Sequence, residues 1–161
     1  MRIAKFHAFI LALFAAGAVW AMDTPKPEPK EPKDPALEQA RAAIAKQDWA
    51  GAQNILRDAV ARNPQSADYH NLYAYSIRKG PNPSMDLVFR HYNEALRIDP
   101  KHRAAHEYLG EAYLMAGNVP KAEEHLKILD QLCFLPCDEY TALKKAVAYY
   151  KKNGRVDPAG K

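Results

Sequence analysis

The sequence predicts an all-α fold, a right-handed superhelix of paired antiparallel helices with three hairpins and one closing helix. Three observations carry that expectation. One order of residue sizes recurs: His106, Leu109, Gly110 and Tyr113, then a Gly117-Asn118 turn, then Ala122 and Leu126. Upstream, His70, Tyr73, Ala74 and Ile77 precede Val88, Tyr92 and Ala95, and a fainter copy runs Ala40, Ala52, Leu56 and Ala59. The small position recurs at Ala40, Ala74 and Gly110, in steps of 34 and then 36 residues. The longer step is absorbed by a widened turn, Lys79-Gly80-Pro81-Asn82-Pro83. Finally, Asn63-Pro64 and Asp99-Pro100 stop helices at matching places, because the residue before proline is pushed out of helical geometry. A single hairpin of this size leaves one face bare, so the units must shield one another in a row.

The elements follow in order. Asp34-Pro35 suits a helix start with proline at the first helical position, and Leu37, Ala40 and Ile44 share one face. Asp48-Trp49 caps a second helix that runs to about Arg62. A third begins at Ser66 and ends by Gly80. Ser84 caps a fourth, and Asp99-Pro100 stops it. The fifth runs from about His102 to Ala116, and the sixth begins near Val119-Pro120, where proline is tolerated in the first turn. A last helix, Asp138 to about Lys152, places Tyr140, Leu143 and Val147 where His106, Leu109 and Tyr113 stood. Its small position is Lys144, which forbids a close-packed partner. This helix reads as a cap with a polar outer face, ended by Asn153-Gly154. Gly110 and Ala122 read as the places where two helices of one hairpin touch closely.

These residues resemble the tetratricopeptide repeat family, with its period of about 34 residues and its W-x2-L-G-x2-Y…A-x3-F…P order. The resemblance covers residues 33–136 as three repeats (33–66, 67–102 and 103–136), with a cap at 138–152 and a tail at 154–161. Histidine replaces the usual aromatic at His70 and His106, Ala36 and Gln39 match poorly, and Phe134 stands where proline is usual.

The 161 residues suffice for one domain with a real core. The net charge is +4, but Arg2 and Lys5 lie in a segment expected to be removed. Without them 21 basic residues face 19 acidic ones, so the pI near 9.0 is not a nucleic-acid signal. Residues 1–21 have the layout of a secretory signal peptide: Met1-Arg2-Ile3-Ala4-Lys5, an apolar run from Ala8 to Val19, and Val19-Trp20-Ala21 at the cleavage point. The apolar run is shorter than the roughly 20 residues of a bilayer-spanning helix. The expectation is export, with cleavage after Ala21, a periplasmic location in a bacterial envelope and no membrane span thereafter. Residues 22–35, alternating proline with charge, read as an extended linker.

Cys133 and Cys137 are the only cysteines. In an exported protein the even pair favours a disulfide, worth about 2 kcal/mol for so short a loop and fixing the angle of the cap. A thiol-redox or copper(I) role is the alternative, since soft thiolates select that metal. His102 and His106, one turn apart, have a chelating spacing, but His70 and His106 fill the slot of the inter-helix aromatic and packing explains them more simply. His91 and His125 read as surface positions. The basic C-terminal residues Lys144, Lys145, Lys151, Lys152 and Arg155 read as a solvated capping face.

The resemblance implies a concave groove lined by Asp68, Asn71, Tyr75 and Arg78 in the middle repeat. Glu107, Glu111 and Leu114 would follow in the third, with Thr141 and Lys145 from the cap. Tyr75 and Leu114 would be its anchors for an extended or helical peptide. Glu107 and Glu111 argue against capture of a C-terminal carboxylate. No catalytic triad order, phosphate-cradling glycine loop or zinc spacing is present. The expected function is therefore an exported, non-enzymatic adaptor that binds a protein or peptide without a cofactor. The alternative is an envelope redox or copper-handling accessory using Cys133 and Cys137.

Overall fold

A computed structural model describes residues 34–158. The signal and linker expectations lie outside those residues, apart from Asp34 and Pro35. Seven α-helices make up the described chain: α1 (Pro35–Ala45), α2 (Trp49–Arg62), α3 (Ala67–Lys79), α4 (Met85–Ile98), α5 (Arg103–Met115), α6 (Val119–Leu132) and α7 (Asp138–Asn153). No strand occurs among the described residues, and no described helix is long and apolar enough to cross a membrane.

The capping chemistry explains the boundaries. The Asp34 carboxylate accepts from the N–H groups of Ala36 and Leu37, Asp48 from Gly51, Ser66 from Tyr69 and Asn118 from Lys121. Each satisfies a donor that the first helical turn leaves unpaired. Ser84 stands at the N-cap of α4 but makes no side-chain cap bond.

Each helix packs on the next in sequence, and α1, α3, α5 and α7 also touch one another in a row. The even-numbered helices do not. The array is thus tighter along its odd-numbered row, which makes that row the concave side of a right-handed solenoid of three hairpins and a capping helix.

Three buried clusters fill the array. Ala40, Ala52, Leu56, Ala59 and Tyr69 form the first; Ala74, Ile77, Val88, Tyr92, Leu109 and Ala112 the second; Leu114, Ala122, Leu129, Leu143 and Val147 the third. The first two clusters span junctions between repeats and the third joins the last repeat to the cap, so no repeat owns its core. Leu143 and Val147 are buried in α7, while Lys144 stays exposed over the Tyr140 ring.

Gly110 also serves a contact beyond its own hairpin. A β-carbon there would come within 2.6 Å of Leu143 Cδ2, and the other nearest atoms are also from Leu143. The missing side chain therefore makes room for Leu143 of the cap helix α7.

His91 and His125 correct an expectation. They are half-buried, and each packs its ring against the inner-helix histidine of its own repeat. The ring centroids are 5.1 Å apart for His70–His91 and 5.2 Å for His106–His125. The histidine at the aromatic slot recruits a polar partner, which a surface reading could not anticipate.

Candidate functional site

The concave side is built from α3 outward. Asn71, Tyr75 and Arg78 fall on one face of α3 at helical spacing, as do Glu107, Glu111 and Leu114 on α5. Their environments differ sharply. Arg78 is only 8% exposed. Its Nη2 donates to Glu111 Oε2 at 2.7 Å, and its Nε donates to the Tyr92 hydroxyl at 3.3 Å. Its Cζ lies 5.6 Å from the ring centroids of both Tyr75 and Tyr108. Burial disfavours the guanidinium charge, but Tyr92 and Glu111 outweigh that effect and hold its pKa above the ordinary value. Arg78 is thus a clamp between α3 and α5 rather than a free cation awaiting a ligand.

Tyr75 and Tyr108 pack against each other at 4.8 Å, and Trp49 meets Tyr75 edge-on at 6.2 Å. Both tyrosines are half-buried, and burial is the leading cause that raises their pKa values. Glu107 is also half-buried. Burial first, then the neighbouring carboxylates of Glu111 and Glu139, push its carboxyl up to about 8. It therefore carries a proton through much of the neutral range. Asn71 is buried, and its Oδ1 has no hydrogen-bond partner. A buried amide oxygen left so costs about 1–3 kcal/mol.

The other sequence-derived positions scatter. Asp68 is exposed; its Oδ1 lies 3.4 Å from His102 Nε2 and 4.0 Å from Arg41. The His102 hydrogen bond leads the lowering of its pKa. Leu114 is 2% exposed and belongs to the third core cluster, so it is not an exposed anchor. Lys145 is exposed on the cap, and Thr141 is half-buried in its first turns. Trp49, Tyr108 and Glu139 escaped the sequence reading. Their one readable signal was aromatic or acidic character; their register belongs to neighbouring faces, and only the curvature of the array brings them in.

His102 and His106 do not converge. His102 Nδ1 accepts from the Ala105 N–H as a helix cap, while His106 Nε2 bonds to the Pro100 carbonyl. Cys133 and Cys137 form a disulfide between the end of α6 and the start of α7, with Cα atoms 5.8 Å apart. The loop it closes presents Phe134 and Leu135 to solvent.

A cavity of about 240 Å³ opens at the C-terminal ends of the inner helices. The Arg78–Glu111 pair, Leu114 and Met115 line it together with residues 156–158.

A curved row of helix hairpins with a polar, aromatic concave side defines a helical-repeat scaffold. The tetratricopeptide repeat family matches residues 37–83 and 90–132, more than half of the chain. The chain belongs to that family. The Yersinia enterocolitica type III secretion translocator chaperone SycD is similar in structure, with a TM-score of 0.64 and 14% identity. That match covers 74% of this chain and 83% of SycD. The Arabidopsis OM64 TPR domain is also similar, at a TM-score of 0.58 and 18% identity over 71% of this chain and 93% of that domain. No curated protein matches the sequence.

Proposed function

We propose that this chain is a non-enzymatic adaptor, exported to the periplasm, that holds a segment of another protein against its concave side. The observation that carries the reading is the Tyr75–Arg78–Tyr108–Glu111 cluster. An ion pair, three ring contacts and burial fix its side chains before anything binds. A preformed surface leaves the ordering cost of association mainly with the partner. Tyrosine faces suit such a surface because they bring area with little side-chain freedom to lose. SycD, a type III secretion translocator chaperone, shares the fold; a holding role for this chain rests on the cluster. Export rests on the layout of residues 1–21.

Selection of peptides from a displayed random library on the full chain tests the binding reading. Selected peptides are expected to lose at least tenfold in affinity for Tyr75→Ala and Tyr108→Ala chains whose helicity is unchanged. Equal binding to these chains would refute the groove. Export is tested by the intact mass of the chain recovered from envelope extract. A mature start at Met22 is expected, and a chain still beginning at Met1 contradicts it.

A further inference from the structure

The chain reverses direction at the end of α7. Gly154 caps the helix with φ +67°, and its N–H donates to the Tyr150 carbonyl at 2.7 Å. An added β-carbon would meet nothing within 4 Å, so the position asks for the left-handed backbone alone. The reversal brings Val156, Asp157 and Pro158 to the cavity beside the Arg78–Glu111 pair. Lys79 from the end of α3, Met115 from the end of α5 and Ala146 of α7 line the same cavity. The returning segment therefore reaches across three inner helices.

We infer that residues 155–158 are a tethered occupant of the concave side, which a partner segment displaces. The inference rests on the proposal that this side holds a partner. The tail also states the chemistry of the partner it stands in for: an extended segment with an apolar residue, then a carboxylate, then proline. The apolar side chain has Met115 and Ala146 to lie against. The Asp157 carboxylate lines the same cavity as Lys79, whereas Arg78 is already committed to Glu111. Proline keeps the segment out of helical geometry and extended. The seat is shallow. Val156 is 39% exposed and Met115 41%, so displacement uncovers little buried apolar area. A short tether holds a segment at an effective concentration of about millimolar order. A tail seated about nine-tenths of the time weakens the apparent affinity for the partner about tenfold.

The test uses the full chain and a fluorescein-labelled synthetic peptide with the sequence of residues 154–161, read by anisotropy. A Val156→Gly/Asp157→Gly chain, its tail loosened, is expected to bind the peptide about tenfold more tightly than the wild type. Adding Lys79→Glu to the loosened chain should abolish binding, and a peptide carrying Asp157→Lys should recover it. Equal affinity for wild-type and loosened chains overturns the inference, as does the absence of saturable binding to both. Peptides selected from the library separate this result from the parent proposal. If they depend on Tyr75 and Tyr108 yet bind the wild-type and loosened chains alike, the groove stands and the role of the tail falls. If they ignore both tyrosines, the groove itself falls.

Discussion

His70 Nδ1 lies 2.8 Å from His91 Nδ1, and the same contact recurs one repeat later between His106 and His125 at 2.9 Å. The other nitrogen of each inner-helix ring sets the polarity. Nε2 of His70 faces the Pro64 carbonyl at 3.1 Å and Nε2 of His106 faces the Pro100 carbonyl at 3.0 Å. A carbonyl can only accept, so each Nε2 carries the proton. In the neutral pair, each Nδ1 is then an acceptor, and His91 and His125 donate to it.

Acid should act on these pairs. Burial is the first cause, and the facing histidine the second, that lower the pKa values of His91 and His125 from 6.5 to about 4. Between those values the unfolded chain binds more protons than the folded one. The stability they contribute is fully present above about pH 6.5 and is lost as pH falls towards 4. Denaturant midpoints at pH 7.5, 5.5 and 4.5 should fall more steeply for the wild type than for His91→Gln/His125→Gln. Parallel curves would contradict this.

Glu107 works in the opposite sense. Its pKa is 4.5 as the ordinary value and about 8 in the fold, so between these the folded chain binds the extra proton. Stability is lost as pH rises through that window. Glu107→Gln should therefore raise Tm increasingly from pH 5 to pH 8 and change little at pH 4. An effect independent of pH would mean that the carboxyl is ordinary.

Gly110→Ala should destabilise by about 1–3 kcal/mol, because the new methyl collides with Leu143 in a filled core. Leu143→Ala should cost about 2–5 kcal/mol alone. Together the two should cost clearly less than their sum, since the alanine at 143 leaves the space that the methyl needs. Urea denaturation of the four chains closes the cycle, and strict additivity would show that the two residues do not meet.

Gln47 turns the chain between α1 and α2 with φ +57°, the role that Gly117 fills at φ +74° between α5 and α6. A residue with a β-carbon is strained in that region. Gln47→Gly should stabilise the chain by about 0.5–1 kcal/mol, net of the greater freedom glycine has when unfolded. A lower Tm would rule out strain at this turn.

Much of the fold was legible because helix ends announce themselves locally. Asp34-Pro35, Asp48, Ser66 and Asn118 each place a side-chain oxygen where the first-turn N–H groups need one. Asn63-Pro64 and Asp99-Pro100 stop what precedes them. The site was less legible. Tyr75 and Arg78 were named from the family resemblance, but Arg78 proved to be a buried clamp because Glu111 reaches it from the next inner helix. Leu114 was drawn under the cavity by the third core cluster. Tyr108 and Trp49 joined Tyr75 from faces that register assigns elsewhere. His91 and His125 look like solvent positions until the histidines beneath them are seen.

The amino-acid sequence by itself determined seven helices, their boundaries, the repeat register and the closing role of α7. Those features depend on hydrogen bonds and side-chain periodicity within a few residues. Only the tertiary structure decided that Gly110 serves Leu143, that Arg78 is paired, that the histidines bond in twos and that the chain returns past Gly154 to the concave side. Each of these depends on the distance between residues of different helices, which the curvature of the packed row sets and no local pattern records.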